Sequence, residues 1–331
     1  MITIKTVRAH TNIALIKYWG KKDEELIIPM NSSLSLTLDA FYTDTSVSFS
    51  STYEKDTFYL NGIEQDEKAF EKLKPVIQQI REWSNVTSPL LIESYNHVPT
   101  AAGLASSASG MAALAGAASL AAGLTLTQTE LSRLARLGSG SATRSIFGGF
   151  AEWQKGTSDK DSYAIPIAEA DWDIGMIFLI LNKNKKKISS REAMQRAVNT
   201  SPYYSGWLES TAEDIEEMKL ALAEKNFTRV GELTEASALK MHALNFSASP
   251  PFTYWEPETL QAMKKVESLR EKGFSCFYTM DAGPNVKVLC RLSEAEALIN
   301  ELKQSFNEYT IVLSKPGRGI EEISSPNKEV T

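Results

Sequence analysis

Residues 98–129 contain no ionisable side chain, and this segment constrains the fold more than any other part of the sequence. It is long enough in principle to cross a bilayer as a helix. Most of its residues are Ala, Gly, Ser and Thr, so the hydrophobic gain on membrane insertion would be small. We therefore expect no membrane contact, and such a segment needs another explanation.

The overall composition indicates a globular protein that holds any anionic ligand by local charge. A chain of 331 residues with 43% hydrophobic content can bury the cores of two domains. Its net charge of -6 gives no general attraction to nucleic acid, so an anion would need a cluster of cations. Two cysteines are too few for a disulfide framework, and the N-terminus lacks an apolar signal core. We expect a cytoplasmic location and free thiols.

The two halves of the chain show different patterns of predicted secondary structure. In the first half, strands alternate with helices predicted at 67–83, 110–122 and 127–137, the last with a capping box of Thr127 and Glu130. The apolar run 174–181 predicts a central strand, after which long helices precede further strands. This segregation favours an α+β fold with domains at 1–184 and 185–331 and a flexible tail after Pro316.

A loop rich in Gly and Ser at 99–110 stands before an Ala-rich predicted helix. Such a loop presents free backbone N–H groups and the positive end of the helix dipole, which suit a phosphate. The hydroxyls of Ser106, Ser107 and Ser109 offer further donors or metal contacts. The segment matches neither a Walker A loop nor a Rossmann loop. A tightly packed helix of small residues explains the same composition equally well.

A second segment, 138–145, combines glycines, serines and Arg144. Arginine offers a planar fork that binds carboxylate or phosphate in a bidentate manner, so the segment is a candidate oxyanion clamp. An ordinary helix terminus with surface hydroxyls is the alternative, and for this segment taken alone it is the preferred reading.

Cations and one carboxylate add to this set. Lys17, Lys21 and Lys22 surround the Tyr-Trp-Gly of residues 18–20, and a second cationic cluster (183, 185–187 and Arg191) follows the apolar run. Each cluster is either a solvated face or part of a site. Asp281 opens the turn Asp-Ala-Gly-Pro-Asn, which turn chemistry alone explains, although a carboxylate there could act as a base. The three histidines are scattered without metal-ligand spacing.

These segments, in this order, resemble the GHMP small-molecule kinase superfamily and, within it, the diphosphomevalonate decarboxylases. The matching stretches are residues 9–21, 29–35, 99–110, 139–145 and 281–287. The Ile-Lys-Tyr-Trp-Gly-Lys of residues 16–21 is especially diagnostic, because generic members of the superfamily lack it. The resemblance implies a GHMP kinase-like fold, with an N-terminal domain like domain 2 of ribosomal protein S5 and a C-terminal ferredoxin-like α/β sandwich.

The resemblance also implies an activity. ATP would phosphorylate the tertiary hydroxyl of mevalonate 5-diphosphate, and loss of phosphate and CO2 would give isopentenyl diphosphate, with Mg²⁺ accompanying the nucleotide. A kinase that stops after phosphorylation, such as mevalonate or phosphomevalonate kinase, is the closest alternative. A binding protein without activity is a more distant one. The resemblance leaves room for a homodimer.

Site residues follow from the same resemblance, position by position. Asp281, Arg144 and Lys187 would be catalytic, with Asp281 beside the tertiary hydroxyl and Arg144 paired with Asp281 while binding the substrate carboxylate. The substrate-binding residues would be Tyr18, Trp19, Gly20, Lys21, Ser139, Gly140, Ser141, Ala142, Thr143, Arg144, Ser190 and Arg191. The ATP-binding residues would be Pro99, Ala101, Ala102, Gly103, Leu104, Ala105, Ser106, Ser107, Ser109 and Lys187, with Ser106 at the metal.

Overall fold

The structure is a computed structural model that describes residues 2–97, 106–182, 184 and 187–329. The strands are β1 (Ile4–Ile16), β2 (Lys21–Asp23), β3 (Ile28–Pro29), β4 (Ser33–Phe49), β5 (Thr57–Leu60), β6 (Ile63–Glu64), β7 (Leu90–His97), β8 (Phe150–Trp153), β9 (Ala164–Ala168), β10 (Gly175–Ile180), β11 (Cys276–Met280), β12 (Val286–Cys290), β13 (Thr310–Ser314) and β14 (Glu321–Ile323). The α-helices are α1 (Glu67–Glu71), α2 (Lys74–Ser84), α3 (Ser106–Ala121), α4 (Gln128–Gly138), α5 (Ser190–Thr200), α6 (Tyr204–Ala223), α7 (Phe227–Phe246), α8 (Pro257–Glu271) and α9 (Ala295–Ser305). Short 3₁₀ helices span Gly140–Ile146 and Leu292–Glu294.

The larger sheet is built on the long antiparallel pair β1 and β4. Its order is β14-β1-β4-β7-β5-β6, and β8 extends β4 with β9 beside it. Helix α3 lies on this sheet, and its Ala108, Ala112 and Ala115 are fully buried. Small side chains let the helix approach the strands closely, and burial on several sides leaves no place for a charge. Close packing therefore explains the described part of the uncharged segment.

The smaller sheet has the order β11-β12-β10-β13 and is covered on both faces. Helices α8 and α9 pack on one face, where Val266 and Leu298 join Ile177 in a buried cluster. The other face meets α6, α7 and the first sheet, where Phe178 packs with Ile13 in a second cluster. The two sheets are thus joined through a continuous apolar core, and the α+β fold class is confirmed.

The chain crosses between the sheets twice. Strand β10 precedes the predicted division at 184 and 185, yet it pairs with β12 and β13 in the smaller sheet. Strand β14 returns from the C-terminal half and pairs with β1. The division into domains at 1–184 and 185–331 stays a prediction. By strand pairing, β10 from before the division belongs to the smaller sheet, and β14 from after it belongs to the larger sheet.

Two expectations about local structure are wrong. The helix predicted over 67–83 is two helices, because α1 ends at Glu71 and α2 begins at Lys74, with Pro75 in its first turn. A proline ring clashes with the carbonyl four residues earlier, which here belongs to Glu71. The tail after Pro316 is ordered as β14 and a following segment, in which the main-chain N–H of Asn327 donates to Asp44 at 2.8 Å. Hydrogen bonds to the first sheet hold this segment in place.

The predicted capping box at the start of α4 is confirmed. The Thr127 side chain accepts from the Glu130 N–H at the start of α4, and Glu130 accepts from the Thr127 N–H, which completes the capping box. In the described part of the chain, none of the helices combines the length and apolar character that a membrane span requires.

The two cysteines lie opposite each other in adjacent antiparallel strands. Cys276 pairs with Cys290 in the register of β11 and β12, and both thiols are free and buried. Burial raises the pKa of each thiol to about 12. Because the thiolate is the reactive form, neither side chain should react readily in the native protein.

We predict that Ellman's reagent at pH 8 labels neither Cys276 nor Cys290 in the folded protein and labels both in guanidinium. Burial denies access to the reagent and keeps both groups protonated. The released chromophore is followed by absorbance before and after denaturation. Rapid labelling of the native protein would contradict the buried position of this pair.

Candidate active site

A cleft of about 450 Å³ lies where elements of both sheets come together. Strand β1 ends beside it at Ile16, and Asp281 directly follows β11 of the smaller sheet. The N-terminus of α5 and the 3₁₀ helix Gly140–Ile146 form further walls. The predicted site residues that line the cleft are Tyr18, Trp19, Lys21, Ser107, Ser139, Gly140, Ser141, Arg144, Ser190, Arg191 and Asp281.

The carboxylate of Asp281 is held between two buried lysines. Lys17 Nζ lies 2.8 Å from Asp281 Oδ1, and Lys287 Nζ lies 3.0 Å from Oδ2. Both lysine side chains are 2% exposed, whereas that of Asp281 is 25% exposed. Burial opposes ionisation of Asp281, but the two lysines outweigh it, so its pKa lies far below the ordinary value. Asp281 is therefore a fixed, charged group that faces the cleft.

Lys17 is positioned by both halves of the chain. Its Nζ also donates to the carbonyl of Ala14 in the preceding strand β1 at 2.8 Å. Its main-chain N–H donates to Ser237 Oγ of α7 at 3.0 Å. Burial lowers the pKa of Lys17, and the nearby Asp281 offsets part of this effect. The side chain is thus fixed by its strand, by α7 and by the carboxylate.

Arg144 is almost fully buried in one wall of the cleft. Its Nε donates to Asn12 Oδ1 at 3.3 Å, and its Nη1 donates to Ser33 Oγ. Burial lowers the pKa of Arg144 to about 10, so the guanidinium remains charged near neutral pH. The charge of Asp281 offsets part of this effect on the pKa of Arg144, while the direct ion pairs of Asp281 are with Lys17 and Lys287. The expected pairing of Arg144 with Asp281 stays a prediction.

Serine hydroxyls form another wall of the cleft. Ser139 Oγ lies 3.1 Å from Ser141 Oγ and 3.4 Å from Ser107 Oγ, so the end of α4 and the start of α3 meet here. Gly140 between them has no room for a side chain, because a Cβ would lie 2.5 Å from the Trp153 ring. These hydroxyls and the N-terminus of α3 present donors to an anion in the cleft.

Helix α5 directs its N-terminus at the same space. Ser189 is its N-cap and accepts from the Glu192 N–H at 3.2 Å, while Ser190 and Arg191 line the cleft. This arrangement favours Ser190 over Ser189 as the ligand contact. The positive end of the helix dipole adds to the charge of Arg191.

The aromatic residues at 18 and 19 brace the cleft from its outer side. The Tyr18 ring meets Trp153 edge to face at 4.8 Å, and Trp19 meets Tyr254 in the same way at 6.5 Å. The Trp19 carbonyl accepts from the Tyr204 hydroxyl at 2.6 Å. Lys21 follows on β2 with its side chain 7% exposed, so its charge is directed into the cleft rather than into bulk solvent.

Several predicted residues lie elsewhere. Gly20, Ala142 and Thr143 are buried behind the lining, where Thr143 Oγ1 donates to the Gly140 carbonyl at 2.8 Å. Ser109 faces the interior, with its hydroxyl 2.8 Å from that of Thr43, so its proposed contact with a ligand is not supported.

Lys187 is exposed and does not belong to the cleft lining. The predicted ATP contacts Pro99, Ala101, Ala102, Gly103, Leu104 and Ala105 lie outside the described residues. Ser106 begins α3, but its side chain is likewise outside what the structure describes.

Sequence reasoning left four contributors without a role: Lys17, Lys287, Asn12 and Ser33. Lys17 was visible as a cation at the end of an apolar strand. Lys287 offered the clearest signal, since it interrupts the apolar Val-Lys-Val-Leu-Cys run of a buried strand. A lysine is almost never fully buried without a partner, so this position already required a nearby carboxylate. Asn12 and Ser33 gave no comparable signal.

The charges of the cleft favour a ligand with several negative groups. Lys17, Lys21, Arg144 and Arg191 line the cleft, and Asp281 is the one acidic residue among its described lining residues. Among the described residues, no group of three or more His, Cys, Asp or Glu is arranged to hold a metal ion. Mg²⁺ is commonly bound through phosphate oxygens and few protein ligands, which fits an anion site lined by hydroxyls.

We predict that Gly20→Ala destabilises the protein by about 1–3 kcal/mol. Gly20 has φ +115°, and a Cβ would lie 2.1 Å from the Tyr204 hydroxyl oxygen. Gly62→Ala is the matched control, because Gly62 also has positive φ but open space around its Cβ. Urea unfolding measures both. Equal losses would show that the collision with Tyr204 has no effect.

Comparison with known proteins agrees with this geometry. Residues 9–164 match the model of the diphosphomevalonate decarboxylase-like N-terminal domain, and residues 176–329 match that of the mevalonate 5-diphosphate decarboxylase C-terminal domain. The diphosphomevalonate decarboxylase of Candida albicans is 36% identical over 91% of this chain and 88% of its own length.

Solved structures give the same result. The mevalonate diphosphate decarboxylase from Enterococcus faecalis, in a study of mevalonate diphosphate mediated ATP binding, is 51% identical with a TM-score of 0.92, covering 98% of this chain and 100% of its own. Another solved structure, MDDEF in complex with MVAPP, AMPPCP and magnesium, is 52% identical with a TM-score of 0.92 over the same shares. Together with the matches over both halves, this shows that the chain belongs to the diphosphomevalonate decarboxylase family.

Proposed function

We propose that this protein catalyses the ATP-dependent decarboxylation of mevalonate 5-diphosphate to isopentenyl diphosphate, with release of ADP, phosphate and CO2. The observation that carries the proposal is the Lys17–Asp281–Lys287 group at the floor of a cleft whose walls hold Lys21, Arg144 and Arg191. The substrate carries a diphosphate, a carboxylate and a tertiary hydroxyl. The cleft offers cations for the first two groups and one fixed carboxylate for the third.

The reaction divides into phosphoryl transfer and elimination. The tertiary hydroxyl attacks the γ-phosphorus of ATP, so a C–O–P linkage forms as the bond to ADP breaks and the hydroxyl proton passes to solvent. The C–O bond then breaks and phosphate departs with its electron pair. Cleavage of the bond to the carboxylate releases CO2, and those electrons form the double bond. Phosphate is a much better leaving group than hydroxide, which explains the need for ATP.

Asp281 orients the hydroxyl in the first step. Its depressed pKa makes it a weak base, so it is suited to accepting a hydrogen bond from the hydroxyl and directing the oxygen lone pair at the phosphorus. A full proton need not rest on it during transfer, since phosphoryl transfer depends chiefly on positioning and charge neutralisation. Of the two roles open to it, base or positioning group, the second has the stronger electrostatic support.

The cations divide the remaining tasks. Arg144 would hold the substrate carboxylate, because its guanidinium is charged and fixed by Asn12 and Ser33. Lys21, Ser139, Ser141, Ser190 and Arg191 would bind the diphosphate. Tyr18 and Trp19 would brace this side, with Gly20, Gly140, Ala142 and Thr143 shaping the backbone behind it.

On the nucleotide side, the start of α3 is the described part of the predicted phosphate loop. Ser107 and the helix N-terminus lie at the cleft, beside the diphosphate contacts. Ser106 and the preceding segment 99–105, together with Lys187, would complete the ATP site. Magnesium would accompany the nucleotide, with Ser106 as its protein contact, and would neutralise charge on the phosphates.

Four wider statements belong to the same proposal. The reaction places the protein in isoprenoid synthesis by the mevalonate route, as a cytoplasmic enzyme able to form a homodimer. Its domains would be 1–184, which binds ATP, and 185–331. A kinase that stops after phosphorylation is the alternative that must be tested directly.

We predict that incubation with ATP-Mg and mevalonate 5-diphosphate releases ADP and CO2 in equal amounts. Coupled spectrophotometry follows ADP, and a 1-¹⁴C-labelled substrate follows CO2. ADP without CO2 would support the kinase alternative, and neither product would support a binding protein.

We predict that Asp281→Asn lowers kcat by about 10²-fold and changes substrate Kd much less. The amide keeps the shape of the side chain but cannot orient the hydroxyl through a negative charge. Asp173→Asn serves as the control, since Asp173 lies outside the cleft lining in an ion pair with Arg291. A large rise in Kd with intact kcat would show that Asp281 serves binding instead.

A further inference from the structure

Lys21, one of the cations of the cleft, is paired with a carboxylate that is not part of the cleft lining. Lys21 Nζ lies 2.7 Å from Glu24 Oε2. The lysine side chain is 7% exposed and the glutamate side chain is 51% exposed. Glu24 therefore extends from solvent over the edge of the cleft and reaches the ammonium group that the substrate diphosphate would need.

The local backbone fixes Glu24 in this position. It lies in the turn between β2 and β3, where Asp23 Oδ1 accepts from the main-chain N–H groups of Glu25 and Leu26 at 2.9 and 2.8 Å. The Leu26 carbonyl in turn accepts from Arg136 Nε at 2.9 Å. The turn is thus tied to the body of the protein, and the contact of Glu24 with Lys21 is built into the hairpin.

The charge of Glu24 is also felt by a second group at the cleft. Burial raises the pKa of Tyr18, and the negative charge of Glu24 raises it further. The Tyr18 hydroxyl is buried and has no hydrogen-bond partner among the described residues. The negative charge of Glu24 would likewise repel a diphosphate oxygen bound near Tyr18 and Lys21.

We propose that Glu24 is an affinity-determining residue that occupies the anion position on Lys21 until the diphosphate of the substrate displaces it. This inference rests on the proposed function, in which Lys21 binds that diphosphate. Glu24 is exposed enough to swing into solvent when displaced, whereas Lys21 is enclosed and remains in place. The displaced ion pair and the repulsion both weaken binding, so the wild-type affinity is lower than the cations alone would give.

The expected size of the effect follows from the nature of the pair. An ion pair with an exposed partner contributes little free energy. Removing the charge of Glu24 should therefore tighten binding of the diphosphate by only about two- to five-fold. Salt screens exposed charges, so the gain should shrink as the ionic strength rises from 0.01 to about 1 M, where the Debye length falls to about 3 Å.

The test compares Glu24→Gln with Glu25→Gln by calorimetric titration of inorganic pyrophosphate at low and high salt. Both changes remove one negative charge from neighbouring positions of the turn. Among the described residues, Glu25 forms no side-chain ion pair, so the difference between the variants isolates the contact with Lys21. Urea unfolding of both variants checks that the hairpin is intact.

We predict that Glu24→Gln binds pyrophosphate about two- to five-fold more tightly than wild type, and that Glu25→Gln gains clearly less. In a Lys21→Met background the gain from Glu24→Gln should vanish, which separates this contact from pyrophosphate bound elsewhere. Weaker binding by Glu24→Gln, an equal gain for Glu25→Gln, or a gain that persists without Lys21 would overturn the proposal.

The pyrophosphate titration and the turnover assay test the two proposals separately. If wild type releases no CO2 from mevalonate 5-diphosphate but Glu24→Gln still gains pyrophosphate affinity, the proposed function fails and the competition at Lys21 stands. If turnover is found and Glu24 has no effect, only the present inference fails. With turnover present, Glu24→Gln should lower KM for mevalonate 5-diphosphate by a factor similar to its gain in pyrophosphate affinity.

Discussion

The ion-pair group of Lys17, Asp281 and Lys287 is the interaction on which the cleft depends. Lys17 follows β1 of the larger sheet, whereas Asp281 and Lys287 belong to the hairpin of the smaller one. Removing one member of a fully buried pair costs about 3–5 kcal/mol, and somewhat less where one partner is partly exposed. The same contact therefore joins the two sheets and sets the position of the Asp281 carboxylate in the cleft.

Helix α7 supports this group from behind and adds no further positive charge to it. Ser237 holds the backbone of Lys17, and Met241 lines the cleft. The next residue, His242, is fully buried, and burial, assisted by the neighbouring Lys17, lowers its pKa to about 3. Its imidazole is therefore neutral at physiological pH. Two lysines stabilise one carboxylate, and a third positive charge behind them is avoided because the low dielectric of the interior disfavours it.

The sequence predicted much of this arrangement, but not the contacts that cross between the sheets. Element types and the capping box at Thr127 follow from local patterns, and both were confirmed. Apolar residues continue at helical spacing across Pro75, so this spacing alone predicted one helix and did not reveal the break. Arg144 was placed correctly in the cleft, yet its partners Asn12 and Ser33 come from distant strands. Which lysine meets Asp281 depends on how the two sheets pack, and no local pattern contains that information.

The charge balance explains how an acidic protein can serve an anionic substrate. The chain carries a net charge of -6, but its cations converge where two helix N-termini and the end of β1 meet. Within the cleft, the fixed carboxylate of Asp281 repels the substrate carboxylate, so that group is directed toward Arg144 on another wall. The hydroxyl, which carries no charge, is the part of the substrate that approaches Asp281 at the lowest cost. Electrostatic repulsion thus contributes to orientation as much as attraction does, because it leaves one favourable pose for a ligand with three polar ends.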